Sequence, residues 1–274
     1  MVTWKIADAI ALALPQVLPL GDTLPDWVVE QAGVLAFPQA LREVHEPVSE
    51  TDAQRGIERL KFDEAFGMQL AMAHRRAALA ERTAVPRVRK SDGLLAAFDA
   101  RLPFPLTRGQ NQVGEILFQE LATSHPMHRL LQGEVGSGKT LVALRAMLAV
   151  VDGGGQAALL APTEVLAKQH HSSITALLGG LGAAGTLEAE PEATQVALLT
   201  GTLTAAKRRR AREAVTSGEA GIVIGTHALL SEDVAFADLG LVVVDEQHRF
   251  GVEQRAALVA KAGQQPHTLV MTAT

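Results

Sequence analysis

The chain has 274 residues, 47% of them hydrophobic, no cysteine and a formal net charge of −5. That length and apolar fraction suit one large domain with a smaller one, each with a core of its own. The absence of cysteine excludes disulfides and thiolate-bound metals, and the acidic balance excludes a surface that attracts nucleic acid everywhere.

The first twenty residues, MVTWKIADAIALALPQVLPL, carry an apolar run with ALA where a leader could be cut. Asp8 interrupts the run and Pro15 breaks it, so the segment reads as a buried amphipathic helix. No stretch reaches the roughly 20 apolar residues of a membrane span. Nine histidines lack paired metal spacing, and no structural metal is expected. Residues 1–100 have helical spacing and few glycines, a smaller all-helical region. Its clearest helix follows SETDAQ, where Thr51 and Gln54 have capping-box spacing. Phe62, Phe66, Leu70, Ala73 and Ala77 then form one apolar stripe, which fades near Arg82. TAVPRVRKSDG, residues 83–93, reads as a basic, solvated connector.

Residues 101–274 have a different rhythm, with short apolar runs between helical stretches. The runs are HRLLQG (128–133), QAALLA (156–161), QVALLT (195–200), AGIVIG (220–225), GLVVVD (240–245) and HTLVMT (267–272). Such runs predict a doubly wound α/β domain with a mostly parallel sheet covered on both faces. Ligands bind such sheets beyond the carboxyl ends of the strands. Between two runs, residues 179–195 are rich in glycine, alanine and glutamate without periodicity, and read as a mobile surface loop.

After the first run stands GEVGSGKT, Gly133 to Thr140, which is G-x-x-x-x-G-K-[ST] at full spacing between a strand and a helix. Gly133, Gly136 and Gly138 let the backbone curl so that its N–H groups face phosphate oxygens, and the helix N-terminus adds positive potential. Lys139 can reach terminal phosphates, and Thr140 can ligate Mg²⁺. The apolar strand that ends in Asp245 and Glu246 supplies the complement. Asp245 would share the Mg²⁺ with Thr140, and Glu246 would orient and deprotonate an attacking water. Two adjacent buried carboxylates without a cation would cost several kcal/mol.

The other strand ends carry APTEVLAKQH, Thr200–Gly201, GTHALL and TAT. Each offers small hydroxyl residues or exposed backbone, groups that can bond a nucleic-acid backbone without reading sequence. KRRRAR, Lys207 to Arg212, reads as a solvated helical face rather than a DNA patch. A phosphate-loop small-molecule kinase remains an alternative, as does a docking module with an idle nucleotide site.

Together GEVGSGKT, APTEVLAKQH, GTHALL, DEQHRFGVEQR and TAT resemble the first, RecA-like motor domain of a superfamily 2 helicase. MHRLLQGEVGSGKT, DEQHRFGV, LPFPLTRGQ and the helical ERLKFDEAFGMQLA narrow the resemblance to the RecG family of branched-DNA helicases. The resemblance implies an ATP-dependent 3′–5′ DNA helicase that remodels stalled replication forks and Holliday junctions in recombination and repair. Gln110 would read the adenine edge, which implies ATP rather than GTP, while Lys139, Thr140, Asp245 and Glu246 keep the roles above. Pro162, Thr163, Gly201, Thr226 and His227 would lie along the DNA backbone, and Gln247, His248, Thr272 and Thr274 would couple nucleotide state to DNA grip.

Implied partners are branched DNA, a wedge domain and a second motor domain of the same protein, and a single-strand DNA-binding protein. The implied location is the bacterial cytoplasm, at the nucleoid and away from membranes. A sister motor that displaces stalled RNA polymerase is a second reading within the superfamily. Glu134 stands where the family usually has Asp, and the 179–195 loop looks longer than the family's connection. An arginine finger, worth roughly 10³–10⁵ in turnover, would come from the second motor, so the isolated chain is expected to bind ATP and hydrolyse it negligibly.

Overall fold

The computed structural model describes residues 3–17, 20–231, 233–246 and 264–273. The chain divides into two compact units, Met1–Ala78 and Leu79–Thr274.

The first unit holds helices α1 (Thr3–Val17), α2 (Asp26–Ala32), α3 (Phe37–His45) and most of α4 (Glu50–Ala80). α4 starts on a reciprocal cap two residues before the expected pair. The Ser49 hydroxyl accepts the Asp52 N–H at 3.2 Å, and the Asp52 carboxylate accepts the Ser49 N–H at 3.0 Å. Thr51 and Gln54, the pair expected from spacing, already lie inside the helix. Phe62 and Phe66 of the expected stripe stack at 5.7 Å between centroids, whereas Leu70 is exposed. α3 packs closely on α4 at Gly56, where a Cβ would stand 2.7 Å from the Ala40 carbonyl.

The unit is held by a polar hub. The fully buried Arg59 donates to both Asp22 oxygens (2.5 and 3.0 Å), to Asp63 (2.8 Å) and to the Leu35 carbonyl. α1 forms and runs through Pro15, which sits in its last turn. It is not the buried helix expected: Leu14 is covered while Ile6 and Leu12 are exposed. A unit this small buries a limited share of its surface.

The second unit is built on a sheet of six parallel strands: β1 (His128–Gln132), β2 (Gln156–Leu160), β3 (Val196–Leu199), β4 (Ile222–Gly225), β5 (Leu239–Asp245) and β6 (His267–Thr272). All six apolar runs therefore form strands, in the order β1-β6-β5-β2-β4-β3. Alternate residues serve opposite faces, as the pleat requires. Leu159, Ile224, Val243 and Leu269 join one core with helices α5 (Leu94–Asp99), α6 (Arg108–Leu121), α7 (Lys139–Asp152) and α8 (Glu164–Leu178). Leu160, Val223, Val244 and Val270 join the other, with α9 (Ala205–Ser217).

The expected division near residue 100 falls inside this unit. Residues 83–93 are a connector that is packed in part: Ala84 and Arg87 are buried, and their N–H groups donate to the carbonyls of Ser124 (2.8 Å) and Leu121 (2.6 Å), whereas residues 88–92 are exposed as expected. Arg87 reaches across to Asp238 at 2.5 Å, and the Asp152 carboxylate caps α5 through the N–H groups of Leu94 and Leu95. Two of the charges that make the segment look solvated, Arg87 and Arg89, thus have partners far away in sequence, Asp238 and Glu115.

Residues 179–195 are likewise folded, not a free loop. A 3-10 turn at Gly179–Gly182 buries Leu181, Thr194 N–H closes on the Leu181 carbonyl at 2.9 Å, and Glu190 pairs with Arg101.

Candidate functional site

The nucleotide elements meet at the carboxyl end of β6. Gln132 of β1 pairs with Thr272, and Asp245 of β5 pairs with Met271. Gly133 N–H then donates to the Thr272 carbonyl (3.4 Å) and Glu246 N–H to that of Met271 (3.0 Å). The glycine loop and the paired acids therefore leave the sheet on strands flanking β6, about 10 Å apart at normal strand spacing.

Gly136 and Gly138 have φ of +82° and +84°, conformations that an L side chain resists, so the loop needs glycine there. At Gly133 a Cβ would stand 2.9 Å from Ser137 Oγ, and at Gly138 it would collide with Gln110 Nε2. Gly138 caps α7, whose residues from Leu141 to Val150 are buried, so the helix N-terminus is fixed beneath the loop. Lys139 Nζ donates to the carbonyls of Gly133 (2.6 Å) and Glu134 (2.9 Å), so the ammonium rests across the loop mouth.

Gln110 belongs to a capping box that starts α6. Its Oε1 accepts the Thr107 N–H at 2.9 Å, and its Nε2 donates to the Ser137 carbonyl at 3.0 Å. One N–H and one lone pair of the amide remain for a base edge. Beside it lies a cavity of about 250 Å³ lined by Thr107, Gln110, Val113, Leu131, Lys139 and Val142.

On the other flank Asp245 is paired. His170 of α8 places Nε2 2.7 Å from Asp245 Oδ2, and the two side chains are only 13% and 15% exposed. Since a carboxylate accepts, the imidazole donates. Glu246 has φ +53°, a left-handed turn that a non-glycine residue adopts at a cost and that concentrates at functional sites.

The Thr140 hydroxyl and Asp245 carboxylate are hard oxygen donors suited to Mg²⁺. No group of three or more His, Cys, Asp or Glu that could cage a metal occurs among the described residues. That donor set fits an ion that uses few protein ligands and takes the rest from phosphates and water.

The remaining candidates lie on the neighbouring ends of β2, β4 and β3. Thr163 caps α8, its hydroxyl accepting the Leu166 N–H at 3.2 Å, and Pro162 precedes it half-buried. Gly201 is exposed, as is His227, but Thr226 is buried in the wall beneath. The Thr226 and Thr200 hydroxyls have no hydrogen-bond partner among the described residues. Thr272 ends β6 between the two nucleotide elements. Gln247, His248 and Thr274 lie outside the described residues.

Sequence reasoning missed a clasp. Glu164 accepts from the Thr202 N–H (3.1 Å) and hydroxyl (2.5 Å), joining the turns after β2 and β3. The hydroxyl bond holds the Glu164 carboxyl below its usual range. Arg208, from the basic stretch read as solvated, donates to the Gly201 carbonyl at 2.5 Å. His170 was also missed, although it ends APTEVLAKQH.

Half of the residues are shared with the ATP-dependent DNA helicase RecG of Mycobacterium leprae: 50% identity over 274 residues, covering 99% of this chain and 37% of that protein. RecG of Bacillus subtilis is 40% identical over 270 residues, 98% of this chain and 36% of its own length. A solved structure of RecG bound to a three-way DNA junction superposes over 100% of this chain and 35% of that one, at TM-score 0.78 and 32% identity. The chain spans a little over a third of the length of the curated relatives it matches. Residues 108–274, from the first residue of α6 onward, match the DEAD/DEAH box helicase profile, and to that family the chain belongs.

Proposed function

We propose that this chain is the ATP-driven motor of a DNA helicase that remodels branched DNA, translocating 3′ to 5′ on stalled forks and Holliday junctions. The reading is carried by the delivery of the phosphate loop and the paired acids to the two sides of β6, in a chain half identical to RecG. The helical unit would connect the motor to a wedge domain in the whole protein.

In the motor, Lys139 exchanges its two loop carbonyls for phosphate oxygens, which restore the ammonium's hydrogen bonds with opposite charge. Gln110 holds the loop to α6 and offers its remaining amide edge to adenine. Glu246, projected from a left-handed turn, takes the proton of the attacking water on its carboxylate. Thr140 and Asp245 would hold Mg²⁺, which supplies positive charge against the phosphoryl oxygens. Pro162, Thr163, Gly201 and His227 offer the DNA backbone an edge of backbone and small polar groups, beside which Arg208 at the Gly201 carbonyl and Lys168 at Thr202 supply positive charge. Thr226 would act through its backbone, since its side chain is buried.

The whole protein, given ATP and a synthetic three-way junction, should remodel the branch, and Lys139→Ala should abolish this. In the 274-residue chain the same substitution should weaken ATP binding roughly 10–100-fold, the loss of contacts to a charged group worth about 1.5–3 kcal/mol. Equal ATP affinity in wild type and variant, or ATP turnover indifferent to DNA, would overturn the proposal.

A further inference from the structure

We infer that His170 is a positioning residue of the nucleotide site, holding the Asp245 carboxylate ready for the cation. The inference rests on the nucleotide-site reading above. It starts from one contact: His170 Nε2 donates to Asp245 Oδ2 at 2.7 Å, with both side chains largely shielded from water. A strand-end carboxylate turns freely about its last bond unless something holds one oxygen. With Oδ2 fixed, Oδ1 accepts no hydrogen bond from any described residue and keeps its lone pairs for a hard cation.

The bond comes from a rigid support. α8 is capped by Thr163 and anchored in the core by Ala167, Ile174 and Leu178, so His170 lies on a fixed helix rather than a loop. It is not itself a metal ligand in this arrangement, because the nitrogen nearest the site is spent on Asp245. Hydrogen bonds that orient a metal-binding carboxylate are worth roughly 10–100-fold in metal affinity when removed. The geometry also places His170 about two turns beyond Thr163, so one helix carries the proposed DNA edge at its start and the carboxylate support along its length.

The test compares ATP binding by the 274-residue chain in EDTA and across a Mg²⁺ titration, for wild type, His170→Ala and His170→Gln. Affinity in EDTA should be the same for all three, since Lys139 and the glycine loop are untouched. In His170→Ala the Mg²⁺ concentration for half-maximal effect should rise roughly 10–100-fold. His170→Gln, which keeps an N–H donor at similar reach, should return towards wild type. If the alanine variant fails to fold, the glutamine variant must still match wild type in its Mg²⁺ midpoint. An unchanged midpoint in His170→Ala, or a glutamine variant as impaired as alanine, would overturn the inference and leave the nucleotide site standing. Failure of wild type to bind ATP, or binding indifferent to Mg²⁺, would overturn both.

Discussion

His267 is buried at the start of β6 with both ring nitrogens in use. Nδ1 accepts the Met127 N–H at 3.0 Å, and Nε2 donates to the Val85 carbonyl at 3.3 Å. Only the neutral ring can do both. Burial is the main cause that pushes its pKa below the ordinary 6.5; the charges of Arg87 and His128 act with it, and the Val85 carbonyl and Glu120 oppose it. The folded state therefore binds fewer protons than the unfolded one. The stability His267 contributes is complete above about 6.5 and falls as pH drops towards the folded pKa. Melting midpoints measured between about pH 5 and 8 should decline on the acid side, and His267→Asn should flatten that decline. An equally steep profile in the variant would refute this. At the same scale, the chemistry readable from sequence was the chemistry written in neighbouring residues. Lys139 and Thr140 follow their glycines, and Asp245 and Glu246 follow their strand. His170 stayed hidden because its partner lies 75 residues away and no spacing rule joins them.

Among the elements, the strands were legible and the caps and connections much less so. β2, β4 and β5 are buried on both faces and so appear as unbroken apolar runs. The start of α4 was misread by two residues because SETDAQ offers several capping residues, and Ser49 with Asp52 forms the pair observed. The helical unit has few buried apolar side chains, so its elements depend on Arg59. That guanidinium joins α4 to Asp22, whose carboxylate also accepts the Leu24 and Phe37 N–H groups and ties in the start of α3. Its bonds to Asp22 hold that carboxyl well below the usual carboxylate range. Arg59→Met should therefore leave Asp22 without its cation and destabilise this unit by on the order of 3–5 kcal/mol. Urea unfolding followed by helical circular dichroism would detect this; a shift under about 1 kcal/mol would mean the hub is replaceable.

For the molecule as a whole, the alternation of strands and helices implied a parallel sheet but not its order. β1 and β6, the first and last strands, are neighbours, and only that adjacency brings the glycine loop beside the acids. The limits of the larger unit were harder to read. Arg87 meets Asp238 across 151 residues, so its charge resembles a surface feature until the chain is folded.

That buried arginine decides where the larger unit can be cut from the chain. A fragment beginning at residue 101 would lose Leu94, Leu95 and Phe98, each at most 2% exposed, and leave Asp152 and Asp238 without partners. The apolar loss alone is about 5–9 kcal/mol at 1.5–3 kcal/mol for each side chain, comparable to the whole stability of many domains. A fragment of residues 79–274 should express as a cooperatively melting protein, and one of 101–274 should aggregate or melt without cooperativity. Equal melting of the two would mean that those twenty-two residues are packaging the larger unit can discard.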